Sequence, residues 1–167
     1  ADYGVPQRRE RVLIVGFRSD VKADWSFPQP THSKERLLWD KNVTAEYWQR
    51  NNLQPKGSDD PRGSRALERL IKNGQPELKP WVTVREAIHG LPIPTDKESA
   101  QFNNHVARAG ARIYPGHTGS PIDEPSKALK AGDHGVPGGE NMIRFESGEV
   151  RYFTVRESAR LQTFPDS

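Results

Sequence analysis

Residues 142–153 read MIRFESGEVRYF, and residues 154–166 continue as TVRESARLQTFPD. The first run has two β-prone arms around Ser147-Gly148, a turn pair, and the pattern predicts a β-hairpin over 142–153. In the second run Thr154 stands three residues before Glu157. That is capping-box spacing: the threonine hydroxyl accepts from first-turn amides while the glutamate reaches back to the cap. A short helix is expected to start there, to carry Ala159 and Leu161, and to end at Pro165. Strands and helices together predict an α+β fold class.

Upstream, Thr83-Val84-Arg85-Glu86 repeats the capping pattern before Ala87-Ile88. The two tetrads are read as independent helix starts rather than an internal repeat. Residues 65–72, RALERLIK, place Ala66, Leu67, Leu70 and Ile71 on one helical face, with Asn73-Gly74 as a stop. A short helix is expected at 44–50, an exposed stretch at 51–64, and a weak helical pattern over 95–110. Residues 111–139 form the least regular region, with five glycines between Gly116 and Gly138. Near the start, residues 12–17 (VLIVGF) are a short apolar run rich in β-branched side chains. Such a run reads as a buried strand of the kind found inside α/β sheets. It follows a polar, arginine-rich loop over 1–11 and precedes another loop over 18–30.

Composition sets the bounds. A chain of 167 residues suffices for one ordinary domain, or a small domain plus part of another. Fourteen Gly and fourteen Pro point to a small core with many loops, leaning on another surface. Lys and Arg number 25 against 22 Asp and Glu, and this net +3 permits nucleic-acid binding without demanding it. With no cysteine, disulfides, Cys-ligated zinc, iron–sulfur clusters and a thiol nucleophile are excluded within these residues. His105, His117 and His134 match no zinc spacing, so no metal site is expected, and His32 and His89 are read as structural or exposed. No apolar run approaches the ~18 residues of a membrane helix and no signal peptide is visible, so no membrane partner and a cytoplasmic location are expected. The chain opens on Ala1 and its only methionine is Met142, which reads as a piece of a longer protein.

Residues 2–11, DYGVPQRRER, run directly into the apolar stretch and Gly16-Phe17-Arg18. This block resembles the Gln-x-Arg-x-Arg motif of DNA (cytosine-5) methyltransferases. Residues 151–166, RYFTVRESARLQTFPD, resemble the same family's Arg-Glu-x-x-Arg-Leu-Gln-x-Phe-Pro-Asp block. Two blocks in the family's order imply a division into three. Residues 1–19 would be the end segment of the catalytic domain, 20–150 the target-recognition domain, and 151–167 a hinge helix motif. The fold so implied is an irregular target-recognition domain with a β-hairpin, plus one strand (11–17) belonging to the α/β catalytic domain. Isolated, that strand is expected to leave apolar surface exposed and to favour dimerisation or aggregation.

The resemblance also implies roles. Cytosine C5 methylation needs a thiolate to attack carbon 6, and negative charge then spreads toward O2 and N3. A guanidinium held near O2 stabilises that charge. Arg11 matches the motif's last arginine and is assigned this role. Arg9 is expected to brace the catalytic loop or a phosphate, and Gln7 to orient the arginines or the flipped nucleotide's backbone. Arg156, Glu157 and Arg160 are read as structural: either a buried Arg–Glu network locking the hinge, with Glu157 and Arg160 on one face, or an ordinary surface ion pair. Residues 125–139 resemble the glycine-rich loop of family recognition domains, where glycines such as Gly135 let main chain enter the major groove. Ser126, Lys127 and Lys130 are then expected at phosphates, and Asp133 and His134 at bases. Ala128-Leu129 stands where family members often have Thr-Leu, so one phosphate contact is in question. Glu140-Asn141-Met142 mimics the family's Glu-Asn-Val tripeptide and is read as coincidence.

The family's Phe-x-Gly-x-Gly cofactor loop and Pro-Cys nucleophile do not occur in these residues. The resemblance therefore implies that S-adenosylmethionine and the attacking cysteine belong to an N-terminal part, in the same chain or a separate subunit. This chain alone would bind no cofactor and be inactive. Its partners would be that part and double-stranded DNA, in a restriction-modification setting. The alternative readings are a non-catalytic, sequence-specific DNA-binding module and a plain interaction domain.

Overall fold

The computed structural model describes residues 1–56, 61–130 and 141–166, with backbone alone at 61–64. Helices and short strands are mixed, as the α+β reading expects. The strands are β1 (Gln7–Arg8), β2 (His32–Ser33), β3 (Lys79–Pro80), β4 (Ser120–Pro121), β5 (Ser126–Lys127), β6 (Met142–Arg144) and β7 (Val150–Tyr152). The helices are α1 (Lys34–Asn42), α2 (Glu46–Arg50), α3 (Pro61–Asn73), α4 (Val84–Ala87) and α5 (Val155–Leu161), with a 3-10 turn at Lys97–Gln101. The strands group as β1-β5, β2-β3 and β4-β6-β7.

The hairpin and both capping boxes form where the sequence places them. Strands β6 and β7 pair antiparallel, with Met142 opposite Tyr152 and Arg144 opposite Val150. Thr83 caps α4 and Thr154 caps α5, each with its glutamate reaching back to the cap. The 3-10 turn is all that forms of the weak helical pattern over 95–110. The helix expected at 65–72 begins earlier, at Pro61, inside the stretch expected to be exposed loop. Of its apolar face only Leu70 is buried, and Ile71 is exposed.

Two apolar clusters organise the described residues. Val84, Ile122, Ile143, Phe153 and Leu161 form one, where α4, α5 and the three-stranded sheet meet. Each such side chain removed from water contributes roughly 1.5–3 kcal/mol. Leu37, Tyr47 and Trp48 form the other, with Leu53 and Trp81 packed against it. Helix α1, at its centre, is missing from the sequence reading. Its buried positions are Leu37 and Asp40, and a buried charge interrupts the apolar periodicity that reveals a helix. Asp40 is held by Arg36 at 2.6 Å and Arg50 at 2.8 Å.

A polar seam joins the clusters around Asp123. Its carboxylate accepts from the Tyr47 hydroxyl at 2.6 Å and from Arg85 Nε at 2.6 Å, while its carbonyl accepts from Lys41 Nζ. Val84 N and Arg85 N, the first free amides of α4, donate to the Glu124 and Ile122 carbonyls at 2.9 and 2.8 Å. The loop thus completes the helix end that Thr83 begins.

The strand expected at residues 12–17 is not formed. Val12, Leu13, Ile14, Val15 and Phe17 are exposed, Ile14 to 92%. Residues 9–17 carry no helix or strand. A strand requires backbone partners, and among the described residues none lies beside this run. The first eight residues instead fold back. Thr31 N and His32 N donate to the Asp2 carbonyl at 2.9 and 3.0 Å, and Trp81 Nε1 donates to the Asp2 carboxylate at 2.8 Å. Gly4, at φ +83°, lies under the His32 imidazole, where a Cβ would come within 2.8 Å of the ring.

The seam makes stability pH-dependent at both ends. Burial alone pushes the Asp123 pKa up, but hydrogen bonds from Arg85 and Tyr47 outweigh it and hold the carboxyl below its ordinary value. Its stabilisation is therefore present above the ordinary aspartate range and is lost as pH falls below about 4 through the folded value. Burial and the bond to Asp123 raise the Tyr47 pKa instead. The folded state keeps a proton that the unfolded chain releases above about pH 10, so stability declines there. Urea unfolding across pH is expected to show both limbs in the wild type and a shallower alkaline limb in Tyr47→Phe. Identical alkaline limbs would remove Tyr47 from this role.

Candidate nucleic-acid interface

Strand β1 runs parallel to β5, with Gln7 opposite Ser126 and Arg8 opposite Lys127. Ser126 N donates to the Pro6 carbonyl at 2.9 Å. The pairing brings the arginine block against the start of the glycine-rich loop, about 120 residues downstream. Gln7 and Ser126 are both buried, and the Gln7 amide nitrogen and the Ser126 hydroxyl have no partner among the described residues. Buried polar atoms are nearly always satisfied, so two orphans side by side mark a site open to a further partner.

The arginines of the block divide. Arg8 lies 3.3 Å from Glu124 in an exposed pair of little energetic weight. Arg9 and Arg11 are exposed. Arg11 donates only to the neighbouring Glu10 carbonyl, at 2.6 Å, so its guanidinium is not absorbed into either core.

Across the pairing, Lys127 N donates to Ser120 Oγ and Lys127 Nζ to Thr118 Oγ1, each at 3.0 Å. Lys130 N donates to Asn141 Oδ1 at 3.0 Å, and Asn141 Nδ2 donates back to the Lys130 carbonyl at 2.9 Å. Asn141 thereby ties the two described flanks of segment 131–140 together. Asp133, His134 and Gly135 lie outside the described residues. No local signal marks Asn141 in the sequence, because its partner is a backbone eleven residues away.

Arg156, Glu157 and Arg160, expected at a hinge, form a network with different pairings from those expected. Glu157 is buried, and Arg151 grips it with two parallel bonds of 2.6 and 2.7 Å. Glu157 also accepts from Thr154 N at 2.9 Å. Arg160 turns away from Glu157, donating to the His89 carbonyl at 2.7 Å and to Asp166 at 3.0 Å. Arg156 donates to the Asn103 carbonyl at 3.0 Å and also reaches Asp166, at 3.4 Å. The hydrogen bond from Arg160 holds the Asp166 carboxyl below the usual range. His105 is buried; its Nε2 donates to the Pro92 carbonyl at 2.8 Å and its Nδ1 accepts from the Thr154 hydroxyl at 2.9 Å. Its ring therefore serves packing. Arg151, Asp166 and His105 were not foreseen as parts of this network.

Helix α5 is thus held by local caps and by bonds to distant segments. The fold mixes helices and strands, and its arginine-rich start pairs with a lysine-bearing segment through Gln7–Ser126 and Arg8–Lys127. The chain belongs to the C-5 cytosine-specific DNA methylase family, whose model matches residues 1–167. It is 33% identical over 172 residues to the type II methyltransferase M.NgoFVII of Neisseria gonorrhoeae, covering 99% of this chain and 39% of that protein. It is 29% identical to M.BbvI of Brevibacillus brevis, covering 99% of this chain and 37% of that protein, and 30% identical to M.MthTI of Methanothermobacter thermautotrophicus, covering 99% and 43%. The chain therefore spans about two fifths of the length of these curated relatives. No solved structure matches it significantly. Among the described residues, no helix is long and apolar enough to cross a membrane.

Thr154→Val is expected to cost about 1–2 kcal/mol through the lost cap. Glu157→Ala is expected to cost about 2–3 kcal/mol, because it leaves the partly buried Arg151 unpaired. Urea unfolding measures both; values below about 0.5 kcal/mol would show α5 to be held elsewhere.

Proposed function

We propose that this chain is the DNA-reading portion of a DNA (cytosine-5) methyltransferase, with Arg11 directed at the target cytosine. The observation that carries the reading is the β1-β5 pairing, which sets Gln7 and Arg8, at the head of the arginine block, against Ser126 and Lys127. In this reading residues 1–19 belong with the catalytic domain, 20–150 recognise the target sequence, and 151–167 form the hinge. S-adenosylmethionine and the cysteine nucleophile come from residues outside these 167, so the chain alone transfers no methyl group. Its partners are that catalytic part and double-stranded DNA.

The division of labour follows from the chemistry. Attack at carbon 6 places charge on the ring, and a guanidinium at O2 lowers the barrier in a water-poor site. Exposed and bound only to a neighbouring carbonyl, Arg11 is free to supply it. The unpartnered Gln7 amide and Ser126 hydroxyl find their partners on the extruded nucleotide's backbone or on the catalytic part. Lys127 and Lys130 meet phosphates, and Asp133 and His134 meet bases.

In a complete enzyme containing these residues, Arg11→Ala is expected to lower methyl transfer from labelled S-adenosylmethionine by about 10²–10³-fold, the range for loss of one such donor. Duplex binding should change little. Full methyl transfer by the variant would overturn the Arg11 assignment. Absence of transfer by the wild-type complete enzyme on any duplex would overturn the methyltransferase reading.

A further inference from the structure

Much of the basic charge in the described residues is already paired. Arg8 meets Glu124, Arg36 and Arg50 meet Asp40, Arg85 meets Asp123, Arg151 meets Glu157, and Arg156 and Arg160 meet Asp166. Arg108, Arg112 and Arg144 are among the arginines that depart from this pattern. The guanidinium of none of them has a hydrogen bond, ion pair or ring contact among the described residues.

Two of the three sit on a strap. Residues 106–113 run exposed except for half-buried Ala111, without helix or strand, and are fixed at both ends. At the start, His105 is buried against Thr154 and Pro92, and Arg156 N donates to the Asn104 carbonyl at 3.1 Å. At the end, Tyr114 and His117 exchange backbone hydrogen bonds of 2.8 and 3.3 Å. The chain then reaches Thr118, which accepts from Lys127 Nζ, and Gly119. Gly119 has φ +73°, and a Cβ on it would stand 3.3 Å from the Arg144 Cβ. Arg144 follows the buried Ile143 on β6, so its side chain leaves the sheet on the opposite face. The strap thus ends where Arg144 and Lys127 flank residues 118–119. The Lys127 ammonium there is bound to a hydroxyl rather than a carboxylate.

We propose that Arg108, Arg112 and Arg144, beside Lys127, form a sequence-independent clamp on the sugar-phosphate backbone of duplex DNA. The proposal rests on the DNA-reading function given above and adds the surface that supplies non-specific affinity. Unpaired guanidiniums suit phosphate, whose oxygens accept two parallel N–H bonds. Four residues of extended chain span at most about 13 Å. Arg108 and Arg112 are therefore spaced to meet nearby phosphates of one strand. Contacts of this kind set register and orientation and carry no base information.

The test is fluorescence anisotropy of the 167-residue chain with three duplexes of unrelated sequence, titrated over salt. Arg108→Gln, Arg112→Gln and Arg144→Gln are made singly and together, alongside a triple lysine variant. Each single change is expected to reduce the slope of log affinity against log salt by about 1, and the triple change by about 2–3. The triple glutamine variant should bind all three duplexes about 10–100-fold more weakly at low salt, and the lysine variant should keep the wild-type slope. A steep wild-type slope left unchanged in the triple glutamine variant, or a loss confined to one duplex, would overturn the clamp while sparing the DNA-reading function. A wild-type chain without salt-dependent affinity for any duplex would overturn both.

Discussion

Asp123 stands between two apolar clusters, each small for a chain of this length, and its contacts make them one structure. Its carboxylate accepts from Tyr47 on the side of α2 and from Arg85 on the side of α4, while its carbonyl receives Lys41 from α1. Burying an anion is costly unless donors surround it, and here two donors converge on the side chain and a third on its own backbone. Alongside it, Arg50 bridges Asp40 and Glu86, so that α1 and α4 also share a guanidinium. Loop-rich chains with few apolar residues bury little surface, and this polar seam supplies connections that a larger core would otherwise provide.

The same economy appears at α5. A seven-residue helix is too short to persist by propensity alone. Its capping box is local, but each member of the box has a second partner outside the helix: Thr154 bonds the distant His105 and Glu157 bonds Arg151 on β7. Arg156 and Arg160 converge on Asp166, closing the Arg-Glu-x-x-Arg-Leu-Gln-x-Phe-Pro-Asp stretch upon itself while reaching the backbone at 89 and 103. The motif is thereby a joint between the end of the chain and two earlier segments, which accounts for its density of charged residues at half-buried positions.

Toward the proposed DNA face the logic reverses. Around Asp123 and Glu157 charges are matched, whereas the Gln7 amide nitrogen, the Ser126 hydroxyl and the guanidiniums of Arg108, Arg112 and Arg144 are left without partners among the described residues. The exposed run over 12–17 belongs to the same contrast. Apolar side chains exposed to this degree are stabilised only by a neighbouring surface, and the chain spans about two fifths of its relatives' length.

Features whose partners lie within a few residues were legible in the sequence. Both capping boxes, the hairpin turning at Ser147-Gly148 and the helix ending at Asn73-Gly74 rest on hydrogen bonds of short sequence separation, and residue type alone specifies them. The two family blocks were legible for the same reason, being contiguous. The strand expected over 12–17 failed because β-branched apolar residues declare a preference that only a paired neighbour can realise. Helix α1 was hidden because its most buried polar position, Asp40, is stabilised by arginines brought from elsewhere. The adjacency of Gln7 to Ser126, the reach of Arg151 to Glu157 and the tie between Asn141 and Lys130 were decided by tertiary structure alone. Each depends on closing a loop between separated segments, and no local spacing encodes where such a loop will close.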